Sequence, residues 1–135
     1  MSKKSTISDP SLPKSNLKLS FEFYDDRSDE FCVSNWNREQ IRKSLLCLRE
    51  INRKSFNEIL YQSRQYHFNE VIWNQTIKKS GFEIPQISRL PAFHFSLVGV
   101  NNQLARIFGA YSQDTFYIVW FDLRHEIWPS RLKHT

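Results

Sequence analysis

The feature that most constrains the fold is an unbroken apolar run near the C-terminus, Phe116-Tyr117-Ile118-Val119-Trp120-Phe121. A strand with one face in water alternates apolar and polar residues, whereas a strand covered on both faces can be apolar throughout. The run is far shorter than the roughly 20 residues of a membrane helix, so no bilayer span is expected. The sequence therefore predicts a central strand over Thr115–Asp122.

Two strand-like segments precede this run and are separated by short polar turns. Ala92–Gly99 is followed by Asn101-Asn102, and Leu104–Tyr111 is followed by Ser112-Gln113-Asp114. Asn, Asp and Ser favour tight turns between strands. We expect three consecutive antiparallel strands, and Glu126–Trp128 as a possible closing strand.

The N-terminal part changes character at Leu17. Residues 1–16 combine Ser, Lys and Pro with almost no large apolar residue, a composition that predicts a disordered basic tail. From there, apolar residues alternate with polar ones, which predicts a half-buried strand over 17–24: Leu17, Leu19, Phe21 and Phe23.

Two capping boxes follow and predict a helical pair. They are formed by Asn37 with Gln40 and by Ser55 with Glu58. The first opens a helix over 38–52, and the second a helix over 56–64. The apolar residues recur at helical spacing along the first helix: Ile41, Leu45, Leu48 and Ile51.

The order of elements predicts an α+β fold: one strand, a helical pair, then an antiparallel meander with the helices packed on one face. Residues 67–81 fit either a helix stopped by Gly81 or a strand around Val71-Ile72-Trp73, and we favour the helix. The length fits one domain over 17–135.

Composition narrows the functional classes. The formal charge of +5 over 135 residues suggests nucleic acid or an acidic protein as partner, although such an excess also occurs on proteins that bind neither. Cys32 and Cys47 are too few for a disulfide framework and lack metal-ligand spacing. With no leader-like segment ahead of them, they predict the reducing cytoplasm. Phosphate loops, nucleophile elbows and zinc motifs are absent from the sequence, so neither cofactor nor metal is expected.

Arg106 stands out because it lies among the apolar residues Leu104, Ile107 and Phe108. A guanidinium keeps its charge and is costly to bury without a partner. It can snorkel from the sheet edge or pair with Asp122 or Glu126. Alternatively, it can clamp a phosphate or carboxylate on an open face of the sheet, which suits its bidentate geometry.

Other polar residues complete a candidate catalytic set. His125 follows the end of a strand and can act as an acid or base near neutral pH, or can simply cap the turn through Asp122. His67, between two aromatic residues, can serve in catalysis, in capping or in packing. An arginine, a histidine and a tyrosine such as Tyr117 would suffice for metal-free RNA cleavage, in which the arginine stabilises the charge on the phosphorane.

A basic helical face could hold the flanking phosphates of RNA, in a salt-dependent manner, or could be an ordinary solvated surface. The candidate RNA-binding residues come from this face and from the C-terminal region: Arg42, Lys43, Arg49, Arg53, Arg124 and Arg131.

The C-terminal part resembles the RelE/ParE-like superfamily of toxin–antitoxin toxins. The similarity covers about residues 92–129 and rests on three short motifs: Ala105-Arg106-Ile107-Phe108-Gly109, then Phe116 to Asp122, then His125 with Trp128-Pro129. The helical pair agrees in order and length.

The resemblance implies the toxin of a type II pair, an endoribonuclease that cleaves mRNA, often on the ribosome, and is neutralised by a cognate antitoxin protein. By position, Arg106 resembles the sheet arginine that contacts the scissile phosphate. The resemblance also implies an alternative without catalysis, since ParE-like members bind gyrase rather than cut RNA. In that case the chain inhibits a protein target or engages an acidic partner.

Overall fold

A five-stranded sheet in the order β1-β5-β4-β3-β2 organises the chain in the computed structural model, which describes residues 15–129. The strands are β1 Lys18–Ser20, β2 Asn69–Glu70, β3 Ala92–Ser96, β4 Arg106–Ser112 and β5 Thr115–Asp122. Neighbouring strands are antiparallel except β1 and β5, which run parallel. The predicted α+β class with an antiparallel meander is confirmed.

Helix α1 spans Arg38–Asn52, as predicted. Its capping box is formed, since the amide of Gln40 donates to Asn37 Oδ1 at 2.8 Å and the amide of Asn37 donates to Gln40 Oε1 at 3.0 Å. These bonds satisfy donors that the first helical turn leaves free. The start of the helix is therefore encoded locally.

The second predicted helix, 56–64, is divided in two. Helix α2 covers Phe56–Tyr61 after the predicted Ser55 capping box, and a single turn, α3, covers Ser63–Tyr66. Gln62 leaves the helical conformation, with φ −97° and ψ 38°, while its amide still bonds back to the helix. The prediction of one continuous helix is therefore wrong at its C-terminal end.

All three helices contribute to one face of the sheet. Leu48 and Ile51 of α1, Ile59 of α2 and Tyr66 of α3 share a core with side chains from that face, which include Phe95, Ile107, Phe116 and Ile118. Within α1 the buried stripe differs from the predicted one, because Leu45 is 61% exposed. The buried residues are instead Ser44, Cys47, Leu48 and Ile51.

The opposite face of the sheet is covered by irregular segments. Phe31, Val71, Ile87, Ile127 and Trp128 pack against sheet side chains of this second core: Ala92, Phe108, Ala110, Val119 and Trp120. Both faces of β5 are thus buried, as its apolar run predicts. The alternative in which the helix-free face is open to solvent around Arg106 is wrong.

Several predicted boundaries are also corrected. The strand expected over 17–24 ends at Ser20, because the chain turns and the amide of Tyr24 bonds to the carbonyl of Phe21. Residues 67–81 contain no α-helix. They contain β2 and a 3-10 turn, Trp73–Gln75, and the amide of Val71 extends the ladder to Ala92.

At the third strand, the chain folds into a turn after Ser96 rather than continuing to Gly99, and β4 begins at Arg106 rather than at Leu104. The predicted Asn101-Asn102 and Gln113-Asp114 turns are confirmed, with positive φ at all four residues. Residues 126–128 are not a strand, and Ile127 and Trp128 belong to the second core.

Residues 1–14 and 130–135 lie outside the described residues, so most of the predicted tail and Arg131 have no structural account. Asn16 already bridges to Ser55, and the amide of Leu17 bonds to the carbonyl of Lys54 at 2.7 Å. Within residues 15–129, no helix has the length and apolarity needed to cross a membrane.

Candidate functional site

Arg106 is buried on the helix-free face, with 7% of its surface exposed. Its Nη1 donates to Ser96 Oγ at 3.2 Å and to the carbonyl oxygens of Gln103 and Ala105. Its Nε has no acceptor among residues 15–129. The guanidinium is therefore held mainly by neutral oxygen atoms of its own sheet and of the preceding turn.

Asp122 is the register partner of Arg106 on β5 and is fully buried. Its carboxylate accepts the amides of Glu126 at 2.9 Å and Ile127 at 2.7 Å. Burial raises its pKa, although these two bonds and the charge of Arg106 oppose the rise. Asp122 thus ties the end of β5 to the loop that follows, with Arg106 providing a compensating charge.

His125 lies in that loop, 8% exposed and with a positive φ of 58°. Its ring is 6.3 Å from that of His94, which is fully buried and also contacts Trp128 at 4.9 Å between ring centroids. His94 points away from Phe93 and Phe95, as the strand alternation predicts. His94 was not among the predicted site residues, although its polar character in an apolar strand was a usable signal.

Five of the seven buried polar residues within 15–129 therefore lie together on the helix-free face: His94, Ser96, Arg106, Asp122 and His125. Buried polar groups are costly unless they satisfy one another. Here they connect β3, β4, β5 and the final loop. We name these five residues the polar cluster.

The structure does not bring the whole predicted catalytic set together. Tyr117 pairs with Ala110, four residues along β4 from Arg106, which corresponds to about 13 Å along a strand. Its ring contacts Phe23 at 5.4 Å. His67 is exposed, next to the edge strand β2. Only His125 joins Arg106 in the polar cluster.

The predicted basic face is present on α1. Arg42 and Lys43 lie 3.6 and 3.8 Å from Glu39, while Arg49 and Arg53 lie 3.9 and 3.0 Å from Glu50. Each carboxylate is shared by two cations. The face therefore keeps an excess of positive charge.

Arg124 lies in different surroundings from the α1 cations. It lines a polar cavity of about 280 Å³ together with three carboxylate residues, Asp29, Glu30 and Glu126. These acidic neighbours repel phosphate. The structure therefore does not support the predicted grouping of Arg124 with the RNA-binding residues of α1.

A second cavity, of about 330 Å³, lies beside the basic face and is mainly apolar. Its walls come from Leu46 and Cys47 of α1, Tyr66 of α3, and Val98 and Gly99 after β3. Burial raises the pKa of Cys47 to about 11, so this thiol stays protonated at neutral pH and acts as an apolar wall. Sequence reasoning missed this cavity, since no motif marks it.

The chain matches no protein-family model, no curated protein and no solved structure. The resemblance to RelE/ParE-like toxins therefore stays a prediction that rests on the residues quoted for it.

Proposed function

We propose that this chain is a protein-binding module that engages an acidic partner through the outer face of α1. The resemblance implies two functions, an endoribonuclease and a binding protein without catalysis, and the proposal is the second of these. The observation that carries the proposal is the unbalanced charge of α1. Five exposed cations, Arg38, Arg42, Lys43, Arg49 and Arg53, share this face with only two carboxylates, Glu39 and Glu50.

The ion pairs within α1 leave this face available to a partner. They join side chains that are about half exposed, and exposed pairs contribute only about 0–1 kcal/mol each. Exchanging them for a partner's carboxylates therefore costs little. A positive face of this kind steers an acidic protein toward the complex and disfavours basic ones.

Burial of Arg106 supports the same conclusion from the other side of the molecule. A residue that stabilises charge on a substrate phosphate must reach that phosphate. Here the guanidinium is engaged by Ser96 and two carbonyl groups, with little exposed surface. It is better suited to hold the polar cluster than to bind RNA.

We expect charge reversal on α1 to weaken partner binding. The double variant Arg49→Glu/Arg53→Glu should weaken binding of a short fluorescein-labelled glutamate-rich peptide by about tenfold or more, because the partner's carboxylates then meet a negative surface. Fluorescence anisotropy gives the affinity, and the wild-type affinity should fall as salt screens the charges.

Arg27→Glu/Arg89→Glu is the matched control, since it changes net charge equally at exposed sites outside α1. It should bind nearly as the wild type does. Equal losses in the two double variants would mean that only net charge matters, and the proposal would then be wrong.

The endoribonuclease toxin is the second candidate function. Arg106 Nε lacks an acceptor within residues 15–129, and two histidines lie in the same cluster. With a substrate phosphate at this donor, a histidine could take the 2′-hydroxyl proton and an acid could protonate the leaving 5′-oxygen. The partners would then be mRNA, a ribosome and a cognate antitoxin.

A further inference from the structure

We propose that the apolar cavity between α1, α3 and the turn after β3 receives one aliphatic or aromatic side chain from the acidic partner. This inference rests on the proposed function and names the contact that makes partner binding specific. Charge alone attracts many acidic proteins, whereas an anchor side chain in a pocket selects among them.

The cavity has the size and lining for one anchor side chain. Its volume of about 330 Å³ lies at the lower end of the range for small-molecule sites, which is ample for a leucine, phenylalanine or tryptophan side chain. Tyr66 and Cys47 are buried in its walls, and Leu46, 39% exposed, lies where an entering group would touch it.

The wall formed by the turn after β3 is held in place. Gly99 adopts a positive φ of 83°, and its amide donates to Gln103 Oε1 at 2.8 Å. The amide of Val100 closes the turn on the carbonyl of Leu97 at 3.1 Å. A partner therefore meets a preformed cavity, which reduces the ordering cost of binding.

Charge around the cavity identifies the occupant as part of an acidic protein. Lys43 and Glu50 both line it. Lys43 shares Glu39 with Arg42, and Glu50 is shared by Arg49 and by Arg53 at 3.0 Å, so four cations stand against two carboxylates. The local excess is therefore positive, and it favours carboxylates on either side of the anchor. A second copy of this chain, with a formal charge of +5, would be repelled.

The test is selection from a displayed peptide library on the immobilised 135-residue chain. The peptides carry fixed glutamates around one randomised central position. We expect Leu, Ile, Phe or Trp to be enriched at that position over Ala by about tenfold, as burial of two or more extra carbon atoms implies.

Two neighbouring leucines give a matched pair of variants without any change in charge. Leu46→Gln should remove the central preference, whereas Leu45→Gln, also exposed but outside the cavity wall, should retain it. Gln65→Trp, which fills the cavity from its α3 side, is a second blocking variant. All three positions are exposed, so folding should survive.

The outcomes separate this inference from the proposed function. Glutamate-dependent binding with no central preference, or a preference that survives both blocking variants, overturns the anchor and leaves acidic binding intact. A central preference that persists without glutamates, and is insensitive to Arg49→Glu/Arg53→Glu, supports the cavity but overturns the acidic partner. Self-association of the wild type that Leu46→Gln abolishes would identify a second copy as occupant and also overturn the inference.

Discussion

Substituting alanine for Gly109 should lower the free energy of unfolding by at least about 3 kcal/mol. Gly109 lies at a bulge in the β4–β5 pair, where the register shifts between Phe108 and Gly109. A Cβ at this position would meet the carbonyl oxygen of Tyr117 and would come within 2.7 Å of the Phe116 ring. These neighbours are strand backbone and core, so neither can move cheaply.

Urea denaturation followed by circular dichroism would measure this loss. Gly99→Ala is the control, because Gly99 has a positive φ but open space around it. It should cost only about 1 kcal/mol of backbone strain. If Gly109→Ala were no more destabilising than Gly99→Ala, the described packing of the hairpin would be incorrect.

Arg106→Ala should destabilise the chain by about 2–3 kcal/mol, because the buried carboxylate of Asp122 loses its nearby positive charge. The bonds to Ser96 and to two carbonyl groups are lost as well. Arg124→Ala, at an exposed position, should change stability by about 0.5 kcal/mol or less. Denaturation of the two variants in parallel would measure the difference between their free energies of unfolding.

The loss of stability in Arg106→Ala should depend on pH, because it acts through the titration of Asp122. Its pKa is raised above the ordinary 3.8 in the folded protein, and removal of Arg106 raises it further. Such a group contributes stability that is present below the unfolded pKa and is lost as pH rises through the folded pKa. Arg106→Ala should therefore be less destabilising near about pH 4 than at neutral pH, and an equal or larger loss at the lower pH would contradict this assignment.

Local signals in the sequence predicted the parts of the fold that depend on local chemistry. The Asn37 and Ser55 capping boxes formed because their partners lie three residues away. The apolar run of β5 predicted burial on both faces, and both faces are buried. The turn at Gln113-Asp114 followed from residues that tolerate positive φ.

The choice of buried residues in α1 was not predictable in this way, since it depends on the distant segments that pack against the helix. Ser44 is buried in α1 in place of Leu45 because its hydroxyl donates to the carbonyl of Gln40 at 2.7 Å, and this removes the cost of burying a polar group. Periodicity alone ranks leucine above serine as a core residue.

The cover on the helix-free face is also a long-range feature. Trp120 Nε1 donates to Asp25 Oδ2 at 2.9 Å, across 95 residues, and the Lys78 ammonium lies 5.3 Å from the Trp120 ring. No local pattern marks either contact. For this reason the sequence left an open face around Arg106 as one alternative, whereas the structure has a buried polar cluster there.

This difference changes the significance of Arg106. From sequence it was the leading catalytic candidate, as a clamp for a phosphate on an open face of the sheet. Its burial with Ser96 and Asp122 makes it a residue of the core. The interaction surface that we propose lies instead on α1 and the adjoining cavity.

The most direct test of this account is mRNA cleavage in a translating bacterial extract, mapped by primer extension with the purified 135-residue chain and its Arg106→Lys variant. Because the account assigns function to partner binding, it predicts intact mRNA with both proteins. Cleavage by the wild type that Arg106→Lys abolishes, with the variant shown to be folded, would contradict the account and establish the endoribonuclease.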